Sequence, residues 1–166
     1  MDLPFGELME KNLLLKQSNI REKIVSLLEK QFSGYLVLTV EGISGFEEGA
    51  ILVHQNNVIG AVFDYLRFDK KLFGEEALPH FFNACRAERG IFDIIALSKQ
   101  QIELIIAFNE KIELRTRLSS KEMAKAIPEK FNPALAEKFL GSQLFRKESK
   151  LDVFKKIGLA EFSRKI

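Results

Sequence analysis

The stretch from residue 34 to residue 65 constrains the fold of this chain more than any other. It reads GYLVLTVEGISGFEEGAILVHQNNVIGAVFDY, which is three short apolar runs rich in β-branched residues, with turn residues between them. Such runs favour β-strands, and the glycines and asparagines between them favour tight turns. The stretch therefore predicts an antiparallel meander on which the rest of the chain packs.

Two asparagines predict where the second and third of these strands turn. Asn56 and Asn57 tolerate positive φ, so we expect them to close a tight hairpin. In that register, Leu52 faces Ala61 across the two strands.

Neither face of the predicted sheet is polar. The first strand alternates between two sets of side chains, Leu36, Leu38 and Val40 on one side and Tyr35, Val37 and Thr39 on the other. A half-exposed antiparallel sheet normally alternates apolar with polar residues. We therefore expect the second side to be covered by the chain's own helices, by a second subunit or by a partner, and the chain's own helices are the simplest of the three.

Composition limits the size and the setting of the protein. A chain of 166 residues that is 46% hydrophobic can fill one core, or one domain of about 120 residues with an appendage. Its single cysteine, Cys85, excludes an internal disulfide framework and favours a reducing, cytoplasmic location. The most apolar stretch, residues 102–108, is far shorter than the roughly 20 residues that span a bilayer, so no membrane span is predicted.

Capping residues and apolar spacing predict three helices in the body of the chain. Asn19 can cap a helix over 19–31, and Ser98 can cap one from 99 to about 115. A third helix is predicted over 74–88.

The segments between these helices have mixed character. Residues 91–97 read IFDIIAL and predict a fourth strand. Residues 66–73 are charged and aromatic and suggest an exposed loop, whereas 1–18 suggest a short strand or an irregular cover. The fold class is therefore α+β, an antiparallel meander of about four to five strands packed with helices.

The last 49 residues contain clear signals for the starts of helices. Ser119 begins a capping-box pattern, Asn132 precedes a proline at a first helical position, and Ser149 can open a last helix. We therefore predict a small C-terminal three-helix unit at 118–166, after an α+β domain at 1–117.

The charges divide unevenly between the two halves. Residues 115–166 hold 13 Lys or Arg and 6 Asp or Glu, which leaves 12 and 17 of the chain's 25 and 23 for the rest. A basic tail can bind nucleic acid or another anion, and it can equally attract the acidic body of its own chain, which is the interpretation we favour. The candidate anion-binding residues are Arg146, Lys147, Lys150, Lys155 and Lys156.

Five short motifs resemble a known family. They are FSGYL from Phe32, GAIL from Gly49, VIGA from Val58, GEEAL from Gly74 and GIF from Gly90. In this order they resemble an uncharacterised archaeal protein family related to the PATAN-like domains, named after the PatA amino-terminal region, over roughly residues 5–108. The resemblance implies a non-catalytic interaction module of prokaryotic signalling and regulatory proteins, with no family active site. One departure is Asn57, where the family usually has glycine; asparagine also visits the left-handed region, so the turn is expected to survive.

The residues that could carry chemistry point to structural roles. His54, His80 and Cys85 have no zinc-site spacing, and Cys85 lies on the apolar stripe of a predicted helix. Glu47 and Glu48 are adjacent in a predicted turn, where carboxylates are normally solvated. We therefore predict no enzyme activity, no cofactor and no metal.

Two functions from different classes remain. The first is a protein-interaction or dimerisation module, regulatory or scaffolding, that binds a protein partner or a second copy. Its candidate residues are Tyr35, Val37 and Thr39 on the sheet and Ile102, Ile105 and Ile106 on the helix that follows Ser98. The alternative is a nucleic-acid-binding protein that uses the basic tail, with an affinity that falls steeply with salt.

Overall fold

A seven-stranded antiparallel sheet is the centre of the fold. The computed structural model describes residues 3–43 and 45–141. Its strands are β1 (Glu7–Leu14), β2 (Gly34–Gly42), β3 (Gly45–His54), β4 (Asn57–Tyr65), β5 (Lys70–Phe73), β6 (Gly90–Ala96) and β7 (Glu113–Ser119). Its helices are α1 (Ile20–Glu29), α2 (Ala77–Ala84), α3 (Lys99–Phe108), α4 (Ser120–Ala126) and α5 (Ala134–Leu140). The predicted α+β class is confirmed.

The order of the strands departs from the order of the chain at two places. Six strands follow the order β1–β6–β2–β3–β4–β5, and β7 pairs with β4. Strand β6 is thus inserted between β1 and the meander of β2, β3 and β4. The β1–β6 pair and the β4–β7 pair are both antiparallel, and each joins segments that are far apart in the sequence.

The sheet is larger than the four to five strands predicted. Strand β5 lies in the segment predicted to be an exposed loop, and it pairs through Leu72 with Phe63 of β4. Strand β7 lies beyond the end of α3, which stops at Phe108 and not near Arg115. Both strands are short and charged, so local composition does not indicate them. Strand β5 follows β4 after a short turn, whereas β7 pairs with β4 across more than 50 residues of sequence.

The hairpin turn between β3 and β4 lies one residue earlier in the sequence than predicted. Gln55 and Asn56 have φ of 46° and 69° and form the turn, whereas Asn57 is the first residue of β4. The amide of Asn57 donates from Nδ2 to the carbonyl oxygen of Gln55 across 2.9 Å. The shifted turn and a register irregularity between Leu52 and Val53 together place Leu52 opposite Gly60, so the predicted pairing of Leu52 with Ala61 is wrong.

One face of the sheet, called face B here, is fully covered. Its side chains in the described strands include Leu36, Leu38, Ile51, Phe63 and Phe92, which are completely buried. Helix α2 packs against β2, β3 and β4. Gly49 permits this packing, because a Cβ there would come within 3.0 Å of ring atoms of both Phe63 and Phe81.

The predicted helix starts are confirmed where local hydrogen bonds define them. Asn19 Oδ1 accepts from the backbone N–H of Glu22 across 3.3 Å at the start of α1. Ser98 and Ser119 form full capping boxes at the starts of α3 and α4. Helix α4 packs against α1, where the guanidinium of Arg21 donates to the carbonyl oxygen of Ile127.

The chain divides into two compact units, Met1–Ala136 and Glu137–Ile166. Helix α4 therefore belongs to the first unit, beyond the boundary expected at residue 117. Of the predicted three-helix unit, α4 and α5 are described, and the helix predicted to begin at Ser149 lies outside the described residues. Within the described ranges, no helix is both long enough and apolar enough to cross a membrane.

Candidate functional site

The second face of the sheet, called face A here, is covered over only part of its area. The register aligns its side chains in rows that run across the strands. One row contains Ile95, Tyr35 and Leu52, and another contains Ile91, Thr39 and Glu48. Helix α3 covers the first row and leaves the second open.

The covered part of face A forms a small apolar core. Tyr35, Leu52, Ile102 and Ile105 are buried together there, and Val37, Ile95 and Ile106 pack at its margin. The Tyr35 hydroxyl donates to the carbonyl oxygen of Pro4 across 3.2 Å, and burial raises the pKa of this phenol. This core explains why both faces of the predicted sheet are apolar, since the chain supplies part of the cover itself.

The candidate partner-binding residues are therefore divided by the structure. Tyr35, Ile102 and Ile105 are each less than 10% exposed inside the chain's own core. Val37, Thr39 and Ile106 are partly exposed, and Thr39 lies on the open part of face A. The structure thus does not bring the six residues together on one accessible surface.

The open part of face A contains a shallow groove of about 440 Å³. Its apolar lining comes from Leu14 on β1, Ile91 on β6, Thr39 on β2 and Phe46 on β3. Phe46 is 63% exposed and Leu14 is also exposed, whereas Thr39 and Ile91 are partly buried. We call these four residues the face A groove.

Charged residues of both signs lie along the rim of the face A groove. Arg89 Nη1 donates to Glu41 Oε2 across 2.8 Å, and both side chains are exposed. Lys16 and Glu88 complete the charged lining. An apolar floor with a polar rim is the arrangement found in the patches through which proteins bind one another.

A buried polar cluster occupies the opposite face of the sheet. Glu47 on β3 is the cross-strand neighbour of Tyr65 on β4, and both are buried. The Tyr65 hydroxyl oxygen lies 2.5 Å from His80 Nδ1 on α2. Glu47 is therefore not the solvated turn residue that the sequence predicts, because it lies within a strand and is only 5% exposed.

The environment of this cluster favours its neutral forms. Burial raises the pKa of Glu47 to about 7, although a hydrogen bond from the backbone of Ile43 works in the opposite direction. Burial, followed by the nearby Glu47 carboxylate, raises the pKa of Tyr65, and burial lowers the pKa of His80. With both groups neutral, the Tyr65 hydroxyl and His80 Nδ1 form one hydrogen bond, and the tautomer of the imidazole decides which of the two donates.

The other potentially reactive side chains have structural surroundings. Cys85 is buried at the end of α2, and burial raises the pKa of its thiol to about 12, so it holds almost no thiolate at neutral pH. His54 Nδ1 lies 3.2 Å from Ser33 Oγ beside the β3–β4 turn. Among the described residues, no group of three or more His, Cys, Asp or Glu side chains could hold a metal ion.

Arg146, Lys147, Lys150, Lys155 and Lys156 lie outside the described residues.

Sequence reasoning missed the main residue of the face A groove. Phe46 directly precedes Glu47 and Glu48, which the sequence places in a turn, although it belongs to the regular alternation of β3. The signal was present, since Phe46, Glu48, Ala50 and Leu52 share one side of an extended strand. Leu14 and Ile91 were missed as groove residues because only the long-range pairing of β1 with β6 brings them to the same row.

Comparison with known proteins gives one match. A family model described as an uncharacterized protein conserved in archaea (DUF2226) matches residues 1–109, more than half of the chain. The matched region ends directly after α3, so it includes the face A groove and the helix that covers the rest of that face. No curated protein and no solved structure matches the chain.

Proposed function

The chain belongs to DUF2226, a family of uncharacterized proteins conserved in archaea, and we propose that it acts as a non-catalytic protein-interaction module. The face A groove is the binding surface in this proposal. The role is regulatory or scaffolding, and its setting is the cytoplasm.

The observation that carries this proposal is the unequal cover of face A. Helix α3 is only ten residues long and packs over the Tyr35 row, while Phe46 of the open part exposes 63% of its surface. Large aromatic side chains are enriched at the centres of protein interfaces, where they provide much of the binding energy. Phe46 at the mouth of a groove is suited to that role.

The charged residues on the rim of the groove indicate which class of partner it can bind. Glu41 and Arg89 already pair with each other, so the rim offers hydrogen bonds without a strong net charge. A polyanion or a polycation gains little on such a surface. The proposed partner is a protein segment that inserts apolar side chains between Phe46 and Ile91 and places polar groups on the rim.

The buried cluster on face B supports a non-catalytic role. Tyr65 on β4 and His80 on α2 are buried between that helix and the sheet, on the side of the sheet opposite the groove. A substrate bound in the groove could not reach these two groups without passing through the sheet.

Affinity capture with matched variants tests the proposal. The full chain, Phe46→Glu and Met9→Glu are used as bait in lysate of the source organism, with and without nuclease. Met9 is similarly exposed on β1 but does not line the groove. We expect to capture a protein whose binding survives nuclease treatment and is equal for wild type and Met9→Glu. Its affinity for Phe46→Glu should be at least about tenfold lower, which corresponds to a loss of about 1.4 kcal/mol in binding free energy.

Two results of this capture would count against the proposal. If Phe46→Glu retains the same proteins, the groove is not the binding surface. If the captured material is lost on nuclease treatment, the alternative of nucleic-acid binding through the basic tail is favoured.

We also propose that the fold is related to the PATAN-like domains. The support is the order of the five glycine-containing motifs, four of which lie at or within two residues of the start of a strand or of the turn before α2. A solved structure of this chain that superimposes on those domains strand for strand would test the relation.

A further inference from the structure

The segment that follows strand β7 is held by side chains of two helices. We call residues 120–132, which are α4 and the residues after it, the strap. Helix α4 packs against α1, and the chain then runs on to α2. The side chains that hold the strap are Arg21 on α1, Asn83 on α2 and Arg86 directly after α2, and we call these three residues the clasp.

Two arginines of the clasp hold the end of α4. Arg21 Nη2 donates to the carbonyl oxygen of Ile127, and Arg86 Nε donates to the carbonyl oxygen of Pro128 across 2.6 Å. The last carbonyl groups of a helix have no partner within the helix and form its negative end. Two guanidinium groups are therefore well suited to bind the chain at this point.

The third residue of the clasp binds the chain further on. Asn83 Nδ2 donates to the carbonyl oxygen of Asn132 across 3.0 Å, and Asn83 Oδ1 accepts from the backbone N–H of Asn132 across 2.7 Å. All four of these hydrogen bonds between clasp and strap thus end on main-chain atoms of the strap. Main-chain groups recur in every residue except proline, so the clasp recognises a path of the chain and not a particular side chain.

Two apolar side chains of the strap add to these hydrogen bonds. Met123 and Ile127 are four residues apart, so they lie on one side of α4, and both are completely buried. Lys121 and Lys125 are exposed. Two apolar residues at this spacing are the pattern by which amphipathic helices bind the grooves of other proteins.

The strap does not use every donor of the clasp. Arg21 Nε is buried and has no hydrogen-bond partner among the described residues. Nε and Nη2 lie along one edge of a guanidinium group, and a carboxylate can accept from both at once. The carbonyl oxygen of Ile127 accepts from Nη2 alone. A buried donor without a partner is destabilising, so an occupant with a carboxylate at this place would fit the clasp better than the strap does.

The clasp and the strap also differ in their relation to the family. The clasp lies within residues 1–109, which the family model matches, whereas the strap lies beyond them. We propose that the clasp is a peptide-binding site, which the strap occupies here and from which a partner segment with two apolar residues four apart and a carboxylate beside Arg21 displaces it. This inference goes beyond the proposed function, since the clasp and the face A groove share no residue.

A peptide supplied in trans tests whether the strap can be displaced. A fluorescently labelled peptide of residues 119–133 is titrated with the full chain, with Ile127→Ala and with Ile127→Ala combined with Arg86→Ala, and anisotropy is measured. The apparent affinity is proportional to the fraction of molecules whose site is open, so Ile127→Ala should bind the peptide at least about tenfold more tightly than wild type. Arg86→Ala should reverse most of this gain.

A second pair of peptides tests the carboxylate. Both consist of residues 119–127, and one ends in a free carboxylate whereas the other ends in an amide. The acid should bind the Ile127→Ala chain at least about threefold more tightly, because hydrogen bonds to a charged acceptor are stronger. Arg21→Lys in the same chain should abolish this difference, since an ammonium group cannot bind both oxygens in the same way. Equal binding of acid and amide would overturn the assignment of an acidic ligand.

Two controls separate displacement from general loosening. Lys130 is an exposed residue of the strap, so Lys130→Ala should bind the 119–133 peptide as weakly as wild type does. Phe46→Glu, in the face A groove, should also leave peptide binding unchanged. A peptide with aspartate in place of both apolar residues should not bind.

Three results would overturn the inference. The first is an Ile127→Ala chain that binds the peptide no better than wild type. The second is binding that survives the loss of both apolar residues of the peptide. The third is an Ile127→Ala chain that circular dichroism shows to be unfolded and that the peptide does not restore, because the strap would then be an obligatory part of the fold.

Discussion

At the scale of single residues, Glu47 stands out because a carboxylic acid is buried beside an aromatic cluster. Its pKa of about 7 in the folded state exceeds its ordinary value of 4.5. The folded protein therefore holds this proton more tightly than the unfolded chain does. The contribution of Glu47 to stability is fully present below about pH 4.5 and is lost as the pH rises to about 7.

Glu47→Gln should remove this pH dependence. The amide keeps the shape of the neutral acid but cannot ionise, so above pH 7 we expect the variant to be more stable than wild type. The gain is roughly 2 kcal/mol, because each pKa unit is worth about 1.4 kcal/mol and solvent screening reduces the full effect. Urea unfolding at pH 5 and pH 8 measures the difference.

Glu48→Gln provides the control for the loss of one negative charge. Glu48 is the next residue but points to the opposite face, where it is partly exposed. Its substitution should not reproduce the change in pH dependence. Parallel pH profiles for wild type and Glu47→Gln would show that the buried carboxyl does not control stability.

The residue scale also shows which predictions a sequence can support. Cys85 was predicted to pack in the core, and it is buried, because an apolar stripe of a helix reports burial directly. Tyr35 was expected on a partner-binding surface and instead lies beneath α3. The alternation of the strand identifies its side of the sheet but does not tell how far a later helix reaches across it.

At the scale of the elements, helix starts were predicted well and helix ends were not. A capping side chain bonds to a backbone group three residues away, so Ser98 and Ser119 carry their own signal. The end of α3 at Phe108 is marked only by Asn109, which the apolar spacing of the helix does not single out. Asn109 bonds through Nδ2 to the carbonyl oxygen of Ile105, and the chain then enters β7, whose partner β4 lies about 55 residues earlier.

Two serine substitutions should affect the two capped helices separately. Ser98→Ala removes the cap of α3 and Ser119→Ala removes that of α4, each at a cost of about 1 kcal/mol. Hydrogen exchange should show faster exchange in α3 alone for the first variant and in α4 alone for the second. Each variant is thus the control for the other, and faster exchange in both helices of one variant would mean that they open together.

At the scale of the whole molecule, the single thiol reports on opening of the core. Cys85 is the chain's one cysteine, and it is 4% exposed with a pKa raised to about 12. We expect a thiol reagent at pH 8 to label the native protein on the order of 1,000-fold more slowly than the protein in guanidinium. Labelling at similar rates in both conditions would show that the core around α2 opens easily.

The overall arrangement was the least predictable part of the fold. The meander of β2, β3 and β4 follows from contiguous sequence and was recognised, apart from the one-residue error at Asn57. The insertion of β6 beside β1 brings together residues about 80 positions apart. The periodicity of apolar residues along the chain does not indicate such a long-range pairing. The face A groove depends on this pairing, so the sequence could not predict the groove either.

The position of β1 has a consequence for synthesis on the ribosome. Within the described sheet β1 pairs only with β6, which begins at Gly90. At roughly 5–20 residues per second, the 80 or so intervening residues take about 4 to 16 s to appear. During that time the backbone N–H and C=O groups of β1 have no strand to pair with, so this segment of the nascent chain stays unpaired until β6 has been synthesised.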